Sequence, residues 1–121
     1  MDDIIAKLIK NYSDDNCFLF AVACSECGNI WYSHPVPFSK AGQSADTRAK
    51  VTLYRALYRQ EMEKAAAQAV QQAKEHFNLC PVCHSLVCDN CFLICDETDM
   101  CSRCAKELGE SGEPVGTGKN R

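Results

Sequence analysis

The chain has 121 residues with 13 basic and 16 acidic side chains, which gives a formal net charge of −3. This size is typical of one domain, and a chain this acidic is a poor general ligand for polyanions. The N-terminus begins Met1-Asp2-Asp3, acidic where a secretory signal would be basic, and no apolar run approaches the roughly 18 residues that span a bilayer. We therefore expect a cytoplasmic protein without a membrane segment.

The N-terminal third predicts a short helix followed by strands. Isoleucine and leucine recur at helical spacing over residues 3–11. After a polar turn, the apolar run 17–23 is typical of a buried strand, and the aromatic segment 29–33 suits the second arm of a hairpin. Two prolines keep residues 34–38 extended, and we expect this segment to run back along the helix that follows.

One long helix is predicted over residues 46–77, a range without glycine or proline, with Ser44 or Asp46 as its cap. A stripe at helical spacing is aromatic at one end and rich in alanine at the other: Tyr54, Tyr58, Met62, Ala65, Ala69, Ala73 and Phe77. The alanine half permits close approach of another helix. Either the N-terminal helix covers it or the protein forms a homo-oligomer through the long helix.

The C-terminal part changes to short segments punctuated by cysteine. A strand is expected over residues 85–87, and a helical turn over 104–108 is stopped by Gly109. Residues 109–121 contain four glycines and, apart from one valine, no large apolar residue. This composition predicts a disordered tail.

Eight of the ten cysteines form four Cys-x-x-Cys pairs: Cys24/Cys27, Cys80/Cys83, Cys88/Cys91 and Cys101/Cys104. Two intervening residues let one tight turn direct both sulfurs at one metal ion, and in a reducing compartment such a pattern favours metal binding over disulfides. We therefore predict two structural zinc ions, each bound by four cysteines. A closed site of this kind leaves no position for a substrate, so we expect no enzyme activity at the metal.

The pairs also resemble known zinc-binding elements. Cys24-x-x-Cys27-Gly28 before an aromatic strand, together with Cys80-Pro-Val-Cys83, resembles the knuckles of zinc ribbons. Cys101-Ser-Arg-Cys104 before a helix resembles the second half of a treble-clef finger. These resemblances imply a fold element and a metal, but they imply no activity.

Spacing alone leaves open which pairs share a metal. The favoured arrangement joins the first two pairs at one zinc and the last two at the other. It predicts an α+β domain over residues 1–108, in which a zinc-ribbon-like module (24–83) is interrupted by the long helix and followed by a second small zinc finger (84–108). The alternatives are a cross-brace, in which the first pair joins the third as in RING-type domains, and a tight site formed by the second and third pairs.

Five further residues offer donor atoms outside these pairs. Cys17 is interpreted as a buried thiol in a strand and Cys95 as a spare thiol, although Cys95 is also a possible substitute ligand. His34, His76 and His84 are interpreted as surface residues, with His84 the best placed to replace a thiolate. An iron-sulfur cluster and a dithiol redox motif are weaker alternatives for the four-cysteine groups.

The function predicted from these features is a non-enzymatic adaptor module that binds another protein. The first alternative is nucleic-acid binding through the basic start of the long helix: Lys40, Arg48, Lys50, Arg55 and Arg59. The second alternative is a thiol-based redox or metal sensor, which would release zinc on oxidation.

Overall fold

The computed structural model describes residues 1–116, which form helices and short antiparallel strands. The helices are α1 (Asp2–Leu8), α2 (Arg48–Ala73) and α3 (Ser102–Leu108). The strands are β1 (Lys10–Asn11), β2 (Cys17–Phe18), β3 (Phe20–Ala23), β4 (Ile30–Tyr32), β5 (Val36–Pro37), β6 (Phe77–Leu79), β7 (Leu86–Cys88), β8 (Phe92–Ile94), β9 (Met100–Cys101) and β10 (Glu113–Pro114). The mixed helix-and-strand class and the single long helix are confirmed.

The strands before the long helix form two small sheets. One has the order β1-β3-β4, in which Val22 lies opposite Trp31, so the predicted hairpin is confirmed. The other pairs β2 with β5 and places Phe18 opposite Val36. The predicted strand 17–23 is therefore divided at Leu19, and its two halves belong to different sheets.

The long helix is shorter than the sequence predicts and starts at a different cap. Thr47, and neither Ser44 nor Asp46, caps it: the Thr47 Oγ1 atom accepts a hydrogen bond from the Lys50 backbone N–H at 3.1 Å. The helix ends at Ala73, and Phe77 belongs to β6 instead. The apolar stripe nevertheless extends across this break, because Phe77 remains buried.

The alanine half of the stripe is covered within the chain. Ala65 and Ala69 form a small core with Phe18 and Phe20, while Ala73 is fully buried in the larger core that contains α1 residue Ile5. A small side chain at these positions lets the strands approach the helix closely. Self-association through the long helix therefore stays a prediction that would have to use another face.

Two sets of contacts fix the flanking segments on α2. The Phe38 and Tyr58 rings meet edge to face at 5.2 Å, as the predicted return of residues 34–38 along the helix requires. At the other end, the Asp2 carboxylate accepts from Gln71 and lies 2.9 Å from the Lys74 ammonium. The hydrogen bond from Lys74 lowers the pKa of Asp2, which indicates that this contact favours the ionised carboxylate.

After α2 the chain forms short hairpins and one more helix. β6 pairs with β7, and β8 lies between β9 and β10. α3 begins at Ser102, two residues before the predicted start, and Gly109 ends it with φ of 70°. Among the helices of residues 1–116, none is long and apolar enough to cross a membrane.

The predicted disorder of residues 109–121 is wrong for the part of the tail that the structure describes. Glu113 and Pro114 pair with Ile94 and Leu93 of β8, and the Gly116 N–H donates to the Asp89 carbonyl. The segment is held by backbone hydrogen bonds, which its amino-acid composition does not reveal. The remainder of the predicted tail, 117–121, lies outside the described residues.

Candidate metal centres

The eight paired cysteines converge into two groups of four. The ligand atoms of each group lie within 4.8 Å of one another, in the sets Cys24, Cys27, Cys88, Cys91 and Cys80, Cys83, Cys101, Cys104. The first pair thus joins the third, and the second pair joins the fourth. The favoured sequential pairing is wrong, and the arrangement is the cross-brace.

The β6–β7 hairpin is the physical reason for this pairing. Its tip carries the Cys80–Cys83 turn, whereas Cys88 lies at its base, opposite Phe77. Cys80 lies three residues beyond Phe77, about 10 Å along the strand, which is too far for the Cys80/Cys83 and Cys88/Cys91 pairs to share one metal. The first knuckle lies beside β7, where the Ser25 N–H donates to the Leu86 carbonyl at 3.0 Å and the Cys88 N–H donates to the Cys24 sulfur at 3.2 Å. Its sulfurs therefore meet those of Cys88 and Cys91 and not those at the hairpin tip.

The sulfur separations fit a tetrahedral metal. In a site with metal–sulfur bonds of about 2.3 Å, the sulfurs lie about 3.8 Å apart. The Cys27 and Cys88 Sγ atoms are separated by 3.7 Å, and so are those of Cys83 and Cys101. Both distances join cysteines from different pairs, so the fit tests the cross-brace itself.

The first Cys-x-x-Cys pair of each site, Cys24/Cys27 and Cys80/Cys83, adopts the same knuckle turn. In the first knuckle the Gly28 N–H donates to the Cys24 carbonyl at 3.0 Å, and the Cys24 N–H donates to Asn29 at 2.9 Å. Gly28 has a φ of 75°, in the left-handed region that glycine adopts without strain. This backbone turn directs both sulfurs to one side.

His84 occupies the position of Gly28 in the second knuckle. Its N–H donates to the Cys80 carbonyl at 2.8 Å, the Cys80 N–H donates to Ser85 at 3.0 Å, and its φ is 62°. Histidine tolerates this conformation better than β-branched residues do. His84 is exposed and belongs to neither four-cysteine group, so its proximity to Cys83 reflects the turn.

Backbone N–H groups stabilise the first thiolate of each site. The Cys88 N–H donates to the Cys24 sulfur at 3.2 Å, and the Cys101 N–H donates to the Cys80 sulfur at 3.3 Å. Burial opposes ionisation of Cys24, but backbone N–H groups, first those of Cys27 and Cys88, outweigh it and hold its pKa at about 7. The same opposition lowers the pKa of Cys80. The two sites are therefore equivalent in their hydrogen bonding as well as in their turns.

The remaining thiols show why a dication suits these groups. Hydrogen bonds from Ser85 lower the pKa of Cys83 to about 6. Burial, and then the neighbouring cysteines, raise the pKa of Cys91 and of Cys104. Four thiolates this close repel one another, so some protons remain until a metal ion replaces them.

Glu26 links the two sites. It lies inside the first knuckle, and its carboxylate accepts from the Arg103 N–H at 2.7 Å and from the Ser102 hydroxyl at 3.0 Å. Ser102 and Arg103 open α3, whose first turn contains the second-site ligand Cys104. A second connection is the hydrogen bond from the Ser102 N–H to the Cys91 carbonyl, at 2.8 Å. Neither knuckle is therefore an independent unit.

Replacing Glu26 by alanine should lower the free energy of unfolding of the metal-loaded protein by about 1–2 kcal/mol, since a charged helix cap is lost. Urea unfolding followed by circular dichroism measures this. Glu63→Ala, at an exposed position on α2, is the matched control and should change stability by less than about 0.5 kcal/mol. Equal stability of Glu26→Ala and the control would contradict the proposed link.

The other predicted donor residues lie outside both groups. Cys17 is half-buried rather than enclosed in the core, and Cys95 is buried beside β8. His34 is exposed, while the exposed His76 stacks on Trp31 with ring centroids 5.5 Å apart. Sequence reasoning missed Glu26, for which the only signal is an acidic residue inside a Cys-x-x-Cys turn.

Comparisons with known proteins assign no relative to this chain, because no family model, curated protein or solved structure matches it. The geometry itself defines the class: a protein with two cross-braced four-cysteine groups compatible with structural metal sites. The resemblance to zinc ribbons and treble clefs is supported only to the extent of these two metal-binding modules.

Proposed function

We propose that this protein is a non-enzymatic binding module, held together by two structural zinc ions, that docks a protein partner in a groove beside its long helix. Zinc is favoured because four thiolates in a tetrahedral arrangement are its usual closed set. Cys80 and Cys101 are fully buried and Cys24 and Cys104 nearly so, which supports a structural role for the ions.

The main observation in support of a binding role is this groove. It has a volume of about 650 Å³, within the roughly 300–1,000 Å³ of typical ligand sites. The aromatic half of the α2 stripe forms one wall, the loop before β2 another, and the segment after β5 a third. Apolar side chains line much of it: Phe38, Val51, Tyr54, Tyr58 and Met62. None of the eight paired cysteines lines it.

Hydrogen bonds hold the walls in place. The Tyr58 hydroxyl donates to the Asp14 carbonyl at 2.9 Å, and Ser39 donates to the Glu61 carboxylate through both its N–H and its hydroxyl. Tyr54 reaches Gln43 across the groove. A groove that exists before its ligand arrives avoids much of the ordering cost of binding.

Nucleic-acid binding is the second candidate, because Lys40, Arg55 and Arg59 also line the groove beside its aromatic rings. Basic and aromatic side chains together are typical of single-strand binding surfaces. Arg48 and Lys50 do not line the groove, and Lys50 is paired with Asp46 at 3.2 Å. The sensor alternative has no observation of its own and stays a prediction.

Selection from a random peptide display library and a random single-stranded RNA library distinguishes these candidates. We expect peptides to be enriched, and the enriched peptides should bind Tyr54→Ser about 30-fold more weakly, since a tyrosine at a binding site commonly contributes about 2 kcal/mol. The control is Leu53→Ser, which alters an apolar side chain on the same helix that is 52% exposed and lies outside the groove. Enrichment of RNA alone, or equal binding by both variants, would contradict the proposal.

A further inference from the structure

We infer that the groove binds an acidic peptide segment in extended conformation, in which carboxylate side chains alternate with a bulky apolar residue. This inference rests on the proposed protein-binding function and specifies the partner's chemistry. The argument depends on the charges at the groove, on its apolar wall and on the spacing of two arginines.

The charge of the groove is opposite to that of the protein. Three cationic residues line it, Lys40, Arg55 and Arg59, against the single acidic residue Asp15, although the chain carries a net charge of −3. Within residues 1–116, the ion pairs join Lys50 to Asp46 and Lys74 to Asp2, so none of the three groove cations has an ionic partner. Complementary charge on a ligand would supply one.

The apolar wall requires more than an anion. Val51, Tyr54 and Met62 are half-buried, so their partly exposed surfaces are available to a ligand. Lys40 lies over the Tyr54 ring, with its ammonium 5.9 Å from the ring centroid, so that charge and apolar surface are adjacent. A small anion would leave this surface in water, whereas a peptide with a large apolar side chain would bury it.

The spacing of the arginines favours an extended peptide. Arg55 and Arg59 are four residues apart on one helix, which places their β-carbons about 6 Å apart on the same side. Residues i and i+2 of an extended peptide also point to the same side, about 7 Å apart. Two acidic residues at i and i+2 therefore match the two guanidinium groups.

A short peptide also matches the small area that the three groove cations occupy. A nucleic acid extends its phosphates beyond any one groove, over the surface of a chain whose net charge is −3. A short peptide confines its charge to the three cations. It also offers aliphatic side chains that suit Val51 and Met62, whereas nucleic-acid bases suit the flat faces of aromatic rings.

Fluorescence anisotropy with the full chain tests the inference. The probe is a fluorescein-labelled peptide with the core Glu-Leu-Glu-Phe-Glu; the matched probes replace its acids by glutamine, or its leucine and phenylalanine by serine, and an oligouridylate carries the same charge. We expect the acidic apolar peptide to bind about tenfold more tightly than each matched probe. Arg59→Glu should weaken its binding by about tenfold or more. The control is Lys64→Glu, an exposed position on the same helix outside the groove, which should change binding by less than about twofold.

Equal binding of the serine peptide, or no binding of the acidic apolar peptide, overturns the inference, and the library selection then decides separately whether the groove binds a protein. Loss of binding in Arg59→Glu but not in Lys64→Glu supports the inference. Equal binding of the glutamine peptide overturns the acidic preference, while the proposed protein-binding function survives. Tighter binding of the oligouridylate, with the same loss in Arg59→Glu, overturns both in favour of nucleic acid. Enrichment of peptides in the library selection, with no acidic pattern among them, also overturns the inference alone.

Discussion

Replacing Cys27 and Cys91 together by serine is expected to leave one metal ion per chain, because both residues belong to the same four-cysteine group. Replacing Cys27 and Cys83 together should remove both ions, since that variant takes one ligand from each group. A structural zinc site contributes about 10–16 kcal/mol at neutral pH. Each lost site should therefore lower the stability of the core that both sites share.

Metal content measured by elemental analysis distinguishes the two pairings, because the sequential arrangement predicts the opposite result for each variant. Titration with Co²⁺ gives a second measure, since the intensity of the thiolate-to-metal absorption reports how many four-cysteine sites remain. Cys17→Ser is the control and should retain two ions, because Cys17 lies outside both groups. One ion in the Cys27/Cys83 variant and none in the Cys27/Cys91 variant would contradict the cross-brace.

The sequence identifies the set of cysteines but not their partners. Cys-x-x-Cys is a local signal, because the backbone turn that directs the two sulfurs lies between them. The pairing depends on where the β6–β7 hairpin places Cys88 relative to Cys80. Four pairs allow three arrangements. The strand register excludes the one in which Cys80/Cys83 and Cys88/Cys91 share a metal, and the hydrogen bond from the Cys88 N–H to the Cys24 sulfur excludes the sequential one.

His84 and Glu26 show the same limit at the level of single residues. From the sequence, His84 is interpreted as a surface residue that is well placed to replace a thiolate, and no role is assigned to Glu26. His84 has the positive φ that Gly28 has in the first knuckle, so its role is to form the turn. Glu26 accepts a hydrogen bond from the first turn of α3 and so caps that helix. Both roles arise from contacts between segments far apart in the chain.

The groove was only partly foreseeable. Its aromatic helix residues and its cations are visible as a stripe and as a basic run in the sequence. The outer walls come from residues 14–16 and 38–45, which hold their places through hydrogen bonds such as that from Tyr58 to Asp14. Those loops have no periodicity, so their position cannot be inferred from pattern.

The arrangement of the buried residues separates two tasks within one chain. One core contains buried cysteines together with Ile5, Val22, Phe77 and Leu86, whereas the other contains Phe18, Phe20, Ala65 and Ala69. Half-buried Ile9 packs against both. The metal ions would thus stabilise the first core directly, while the second core supports the groove.

Replacing Phe18 by alanine should test this separation. Phe18 is fully buried, with its ring 5.0 Å from that of Tyr58 and 6.0 Å from that of Phe38, both of which line the groove. Loss of a buried phenylalanine commonly costs about 3–5 kcal/mol. We expect urea unfolding of the metal-loaded protein to show a loss of this size, and peptide binding in the groove to weaken with it.

Metal content is the measurement that makes the Phe18→Ala result specific. If the two cores are separate, the purified variant should still contain two ions per chain, because no cysteine of either group belongs to the Phe18 core. Leu53→Ala, at a position 52% exposed, should change stability by less than about 0.5 kcal/mol. Loss of both ions in Phe18→Ala would show instead that the chain folds as one cooperative unit, in which the helix core is needed to hold the metal sites.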